Sequence, residues 1–145
     1  MEDDLLLNTI QLKEKANSVI FGLLKTKGYI APVDLLMGID ILSKKDYENW
    51  RFGRVPYLEK VCGVNLHKLS LIMREFRSFA RKNNLRPSWT AYMRWGLKGR
   101  KIPLRFSKFG NPEIGKAYST HFIAVSGMIY NKDKEMTKSE ESAMI

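Results

Sequence analysis

Glycine and proline cut this chain into short lengths, and that punctuation restricts it to many short elements. Gly28, Gly53, Gly63 and Gly96 each close a local apolar pattern, and Pro32, Pro56 and Pro112 stand where a helix can open. Between these marks the apolar residues recur at helical spacing. Leu12, Ala16, Val19, Ile20 and Leu23 predict an amphipathic helix over 8–26. Pro32 suits the first turn of a short helix over 33–39. Ser43, with Asp46 three residues on, reads as a capped start for a helix reaching about Phe52 and carrying Tyr47 and Trp50. Pro56 opens a further short helix, with Tyr57, Leu58 and Val61 as its apolar contacts.

The clearest junction is Asn65. It is a good N-cap, and Val64 and Leu69 occupy the two positions of a hydrophobic staple around it. The helix that follows runs to about Lys82, with Leu66, Leu69, Ile72, Met73, Phe76, Phe79 and Ala80 as its core stripe. Arg74, Arg77 and Arg81 fall on an adjacent face. Asn83 and Asn84 end it. Trp89, Tyr92 and Trp95 suggest a short helix over 89–95, although their spacing spreads them too widely for one narrow buried face. Ile102, Leu104 and Phe106 alternate with Pro103, Arg105 and Ser107, which predicts an extended arm or β-hairpin near 100–110 with Pro103 at an edge. Asn111, Pro112 and Glu113 then start a helix whose stripe is Ile114, Ala117, Tyr118, His121, Phe122 and Val125, ending near Gly127 or Tyr130. The expectation is one mainly α domain over 1–130, a compact bundle of five to seven helices with a short hairpin, followed by a disordered polar tail over 131–145. Segments 56–62 and 66–82, joined by a three-residue turn, have the layout of a helix-turn-helix.

Charge is the second informative feature. The 145 residues hold 25 Lys/Arg against 15 Asp/Glu, a formal net charge of +10. Residues 74–108 hold eleven basic residues and one acid, Glu75, so this window alone carries an excess equal to that of the whole chain. Such density attracts a polyanion through its long-range field and through counterion release. The candidate nucleic-acid contacts are Lys68, Arg74, Arg77, Arg81, Lys82, Arg86, Arg94, Lys98, Arg100, Lys101, Arg105 and Lys108. Trp89 and Trp95 are the candidate base-stacking rings. In the helix-turn-helix layout, Asn65, His67, Lys68 and Ser70 would meet base edges and the later arginines would meet phosphates.

Catalytic signals are weak by comparison. Neither a Rossmann fingerprint nor a P-loop is present, and no HExxH or cysteine cluster proposes a metal. His67 and His121 are the two histidines, and His121 on an apolar stripe reads as a satisfied core residue. Cys62, the lone cysteine, reads as a buried structural thiol that can form no intrachain disulfide. No catalytic residue, metal or cofactor is assigned. No apolar run is long enough for a transmembrane helix and the acidic N-terminus does not suit a secretory signal, so the expected setting is cytoplasmic, away from membranes. The leading expectation is a non-enzymatic nucleic-acid-binding domain, most simply for DNA. The alternatives are a protein-interaction or assembly subunit, including a homodimer, and a small enzyme of unassigned class.

Overall fold

The computed structural model describes residues 2–125, with side chains from residue 8 onward. The expected tail over 131–145 and the helix end near Gly127 or Tyr130 lie outside the described residues. Among the described residues, five helices and a small three-stranded antiparallel sheet make up the fold, so the mainly α architecture is as expected. The elements run α1 (Glu2–Lys27), β1 (Tyr29–Ile30), α2 (Pro32–Gly38), α3 (Lys44–Arg51), a 3-10 turn (Leu58–Val61), α4 (Leu66–Lys82), β2 (Arg86–Trp89), α5 (Pro112–Ser119) and β3 (Thr120–Ile123).

The helix boundaries follow from local chemistry. Gly28 takes φ +78°, a left-handed conformation that costs glycine little, and its N–H reaches Leu24 O to close α1. Ser43 Oγ accepts from Asp46 N at 3.0 Å, and Asn65 Oδ1 accepts from Lys68 N at 2.9 Å. Asn111 Oδ1 accepts from both Glu113 N and Ile114 N, with Pro112 at the first helical position. Helices α1 and α4 pack together, and Ala16, Ile20 and Leu24 of α1 and Leu69, Ile72, Met73, Phe76 and Ala80 of α4 are buried in the common core. Leu66, expected in that stripe, is 64% exposed. It occupies the first helical position on the flank shared with Ser70, Arg74 and Arg77, where the core does not reach.

Three expected helices take other forms. The helix over 56–62 is a single 3-10 turn, because Leu58 N and Glu59 N donate outward to Arg105 O and Phe106 O rather than along a helix. The first member of the helix-turn-helix layout is therefore one turn long. The helix over 89–95 is replaced by extended chain. Strand β2 pairs with β3, and residues 92–94 then pair with 102–104 through Arg94 N to Ile102 O and Leu104 N to Tyr92 O. Extended backbone sends successive rings to different sides, which the spread of Trp89, Tyr92 and Trp95 requires. The arm expected near 100–110 thus finds its partner upstream, with Pro103 opposite Met93 in an isolated bridge that needs no donor from the proline.

The third change is the last helix. It stops at Ser119 and passes directly into β3. Thr120 Oγ1 donates to Lys116 O at 2.7 Å, capturing a carbonyl of the final turn. Residues Thr120 to Ile123 then form the centre of the sheet, which has strand order β1-β3-β2 and both pairings antiparallel. Phe122 points to the core and meets Phe76 at 5.2 Å between ring centroids. His121, one residue earlier, takes the opposite face.

Trp50 anchors the irregular region. Its indole is fully buried, lies among the rings of Tyr47, Tyr92 and Phe106, and donates Nε1–H to Arg105 O at 2.7 Å. Replacing Trp50 with Phe removes that bond and part of the buried surface. We expect stability to fall by about 2 kcal/mol in denaturant unfolding. An unchanged unfolding midpoint would contradict the anchoring role.

Candidate nucleic-acid interface

Helix α4 sets the main basic stripe. Ser70, Arg74, Arg77 and Arg81 recur at intervals of three and four residues, so their side chains stand on one flank. All three arginines are exposed. Glu75, the single acid of the basic window, lies on the other flank, where its carboxylate accepts from Asn17 Nδ2 of α1 at 3.0 Å. The one acid of the basic window is thus turned toward α1 and away from the arginines. Lys68 and Lys82 are exposed on that second flank.

A groove of about 640 Å³ runs between α4 and the α5–β3 unit. Arg74 and Arg77 line one side, and Lys116 and Thr120 line the other. Two acids, Glu59 and Glu113, also line it. Glu59 is held by Tyr118, whose O–H donates to its carboxylate at 2.9 Å. Burial raises the Glu59 pKa above the ordinary carboxylate value, against the opposing effect of that hydrogen bond. Burial also raises the Tyr118 pKa, and the Glu59 charge adds to it. Tyr118 therefore stays a neutral donor.

On the far side of α5 lies a second groove of about 550 Å³, lined by Trp89, Met93, Pro103, Leu104 and Pro112 among others. Residues Glu113, Ile114, Ala117 and Tyr118 face the first groove, while Pro112, Gly115 and Ser119 face the second. Helix α5 is the ridge between them, and Lys116 lines both. Trp89 is 66% exposed at the end of β2. Trp95 has different surroundings. It packs edge-on against Tyr47 and Phe52, the Arg51 guanidinium sits 4.6 Å from its ring centre, and 38% of it is exposed.

Of the twelve expected basic contacts only Arg74 and Arg77 line a groove, and the others lie outside both. Arg86 is on β2. Arg94 donates Nε–H to Phe52 O, which takes it to the end of α3. Lys98, Arg100 and Lys101 are exposed on the turn joining the 92–94 and 102–104 arms, and Arg105 donates to the Lys108 carbonyl. All twelve expected basic contacts are exposed. Among the described residues the ion pairs are Lys15–Asp40 and Lys27–Asp34, and none of the twelve takes part in one. Lys116 and Thr120 were missed by sequence reasoning. Lys116 sits beyond the dense basic window in an almost neutral helix, and only the fold, which sets α5 across the groove from α4, brings it opposite Arg74 and Arg77.

Two of the groups with catalytic residue types, His121 and Cys62, have hydrogen-bond partners for their side chains. His121 Nε2 lies 2.8 Å from Tyr92 Oη and Nδ1 lies 3.4 Å from Thr90 Oγ1, while its ring stacks on Tyr29 at 5.9 Å. Cys62 is buried, its Sγ–H donates to Leu58 O, and burial pushes its pKa up to about 12. His67 is exposed in the first turn of α4. Among the described residues no group of three or more His, Cys, Asp or Glu side chains is placed to hold a metal ion, and no helix is long and apolar enough to cross a membrane.

Burial lowers the His121 pKa below its ordinary 6.5, opposed by the Asp34 carboxylate. The folded chain therefore binds a proton at His121 less readily than the unfolded chain. That contribution to stability is present above the unfolded value and is lost as pH falls below about 6.5. We expect wild type to lose stability between about pH 7 and pH 5.5 more steeply than His121→Gln, measured by urea unfolding. Parallel slopes would contradict the assignment. No family model, no curated protein and no solved structure matches the chain significantly.

Proposed function

We propose that the protein is a non-enzymatic nucleic-acid-binding domain, most simply for DNA, that grips phosphates along the flank of α4. The observation that carries this reading is the arrangement of Arg74 and Arg77 across a groove from Lys116, with the neighbouring acid Glu75 turned toward α1. Arginine donates in a planar fork suited to phosphate oxygens, and lysine adds a point charge. Arg81 extends the same flank. Arg86, Arg94, Lys98, Arg100, Lys101, Arg105 and Lys108 add exposed positive charge over the following segment. The contacts assigned here are to the backbone and position the ligand rather than read its sequence.

A second reading, a protein-interaction or assembly role, is favoured by exposed apolar groups. Phe109 is 87% exposed, and Trp89 and Leu66 are largely exposed as well. Sedimentation of the purified chain tests the homodimer form of this reading, which requires a concentration-dependent dimer or larger species. The single thiol, buried and un-ionised, is compatible with a cytoplasmic setting, and we place the protein there.

The nucleic-acid reading makes a quantitative demand on salt dependence. Each phosphate contact contributes about 0.7 to 0.9 to the slope of log affinity against log salt. The Arg74→Ala, Arg77→Ala double variant is expected to reduce that slope by roughly 1.5 on short single-stranded and duplex oligonucleotides. A Lys44→Ala, Lys45→Ala variant removes equal charge from the start of α3 and is expected to change the slope much less. Absence of binding at low salt, or equal losses in both variants, would overturn the assignment.

A further inference from the structure

The two grooves differ in chemistry, and that difference bears on the kind of nucleic acid. The α4–α5 groove is lined by charge on both sides. The groove beyond α5 carries the Trp89 ring and the apolar side chains of Met93, Pro103, Leu104 and Pro112, and its lining includes no acid. Its one charged lining residue is Lys116, which also lines the first groove. A phosphate held against Lys116 therefore stands at the mouth of an apolar slot. A duplex presents phosphates at its surface and keeps its bases stacked inside. An unpaired strand can send a base away from the phosphate it is attached to.

Resting on the nucleic-acid reading, we propose that the Trp89 groove receives an unpaired base of a single strand. The adjoining phosphates lie against Lys116, Arg74 and Arg77 across the α5 ridge. The base stacks on the indole of Trp89, and Pro103 and Pro112 supply further apolar wall. Charge complementarity commits the slot to this occupant, since a flat aromatic ring with stackable faces, tethered to an anion, matches a largely apolar slot whose one charged lining residue is a lysine. The ring of Trp89 is open for this role. Trp95 is not equivalent, because Tyr47, Phe52 and Arg51 already pack around it.

The test compares three probes on the full chain at one low salt concentration: oligothymidine, an abasic strand of equal length, and a duplex. Each is titrated by fluorescence anisotropy with wild type and with Trp89→Ala. Trp89 is largely exposed, so the variant is expected to keep the wild-type circular dichroism spectrum and unfolding midpoint. Wild type should bind oligothymidine about tenfold tighter than the abasic strand, and Trp89→Ala should remove most of that difference. Binding of the variant to the abasic strand should stay unchanged. If oligothymidine and the abasic strand bind equally to wild type, or the variant keeps the full difference, the base slot is overturned while the phosphate reading stands. Preference for the duplex has the same consequence. If none of the probes binds, both readings fall. A wild-type dimer that Trp89→Ala converts to a monomer would assign the groove to a second copy of the chain and also overturn the proposal.

Discussion

The indole of Trp50 is where three parts of the chain are tied together. Helix α3 supplies the ring, and the Arg105 carbonyl, which accepts both Trp50 Nε1–H and Leu58 N–H, joins α3 to the 3-10 turn and to the long loop ahead of α5. That loop has little regular structure of its own and carries many of the basic residues. Its tight hold comes from rings rather than from a ladder: Trp50 meets Phe106 at 5.0 Å, and Phe106 stacks on Tyr118 at 5.3 Å. Tyr118 then reaches Glu59 in the wall of the charged groove. A line of aromatic contacts thus connects the core, through Tyr118 of α5, to the surface that we assign to nucleic acid.

Electrostatic placement builds on that frame. A cluster of positive charge is a weak signal by itself, because solvated lysines and arginines are common on any surface. Two features strengthen it. Glu75 interrupts the basic window in sequence but not in space, since Asn17 holds its carboxylate against α1. Lys116 adds a charge that the linear window omits, because α5 lies across the groove from α4. The acids Glu59 and Glu113 limit the net charge of the groove itself, so Arg81 and the exposed loop residues carry much of the remaining positive field.

Local chemistry was the legible part of the sequence. The caps at Ser43, Asn65 and Asn111, the stop at Gly28 and the buried stripe of α4 are all set within a turn or two of the residues involved. The strands were not legible. Strand β1 has two residues and β2 and β3 have four each, too few for a period-two pattern to emerge. In α5 and β3 the apolar spacing even favoured a continued helix, because Phe122 serves the core equally well from either backbone. Tertiary pairing with residues 29–30 and 86–89 decided the matter. The same reason explains the sites: the Arg74–Arg77–Arg81 flank is a property of one helix, whereas Lys116 and the Trp89 groove exist only through contacts between distant segments.

The most direct measurement is a heteronuclear NMR titration of the full chain with oligothymidine at low salt. The account expects the largest shifts at the side chains of Arg74 and Arg77, at the Lys116 ammonium and amide, and at the Trp89 indole N–H, with α2 and the start of α3 little changed. Shifts centred on α2 or the start of α3 instead, or none under saturating ligand, would contradict it.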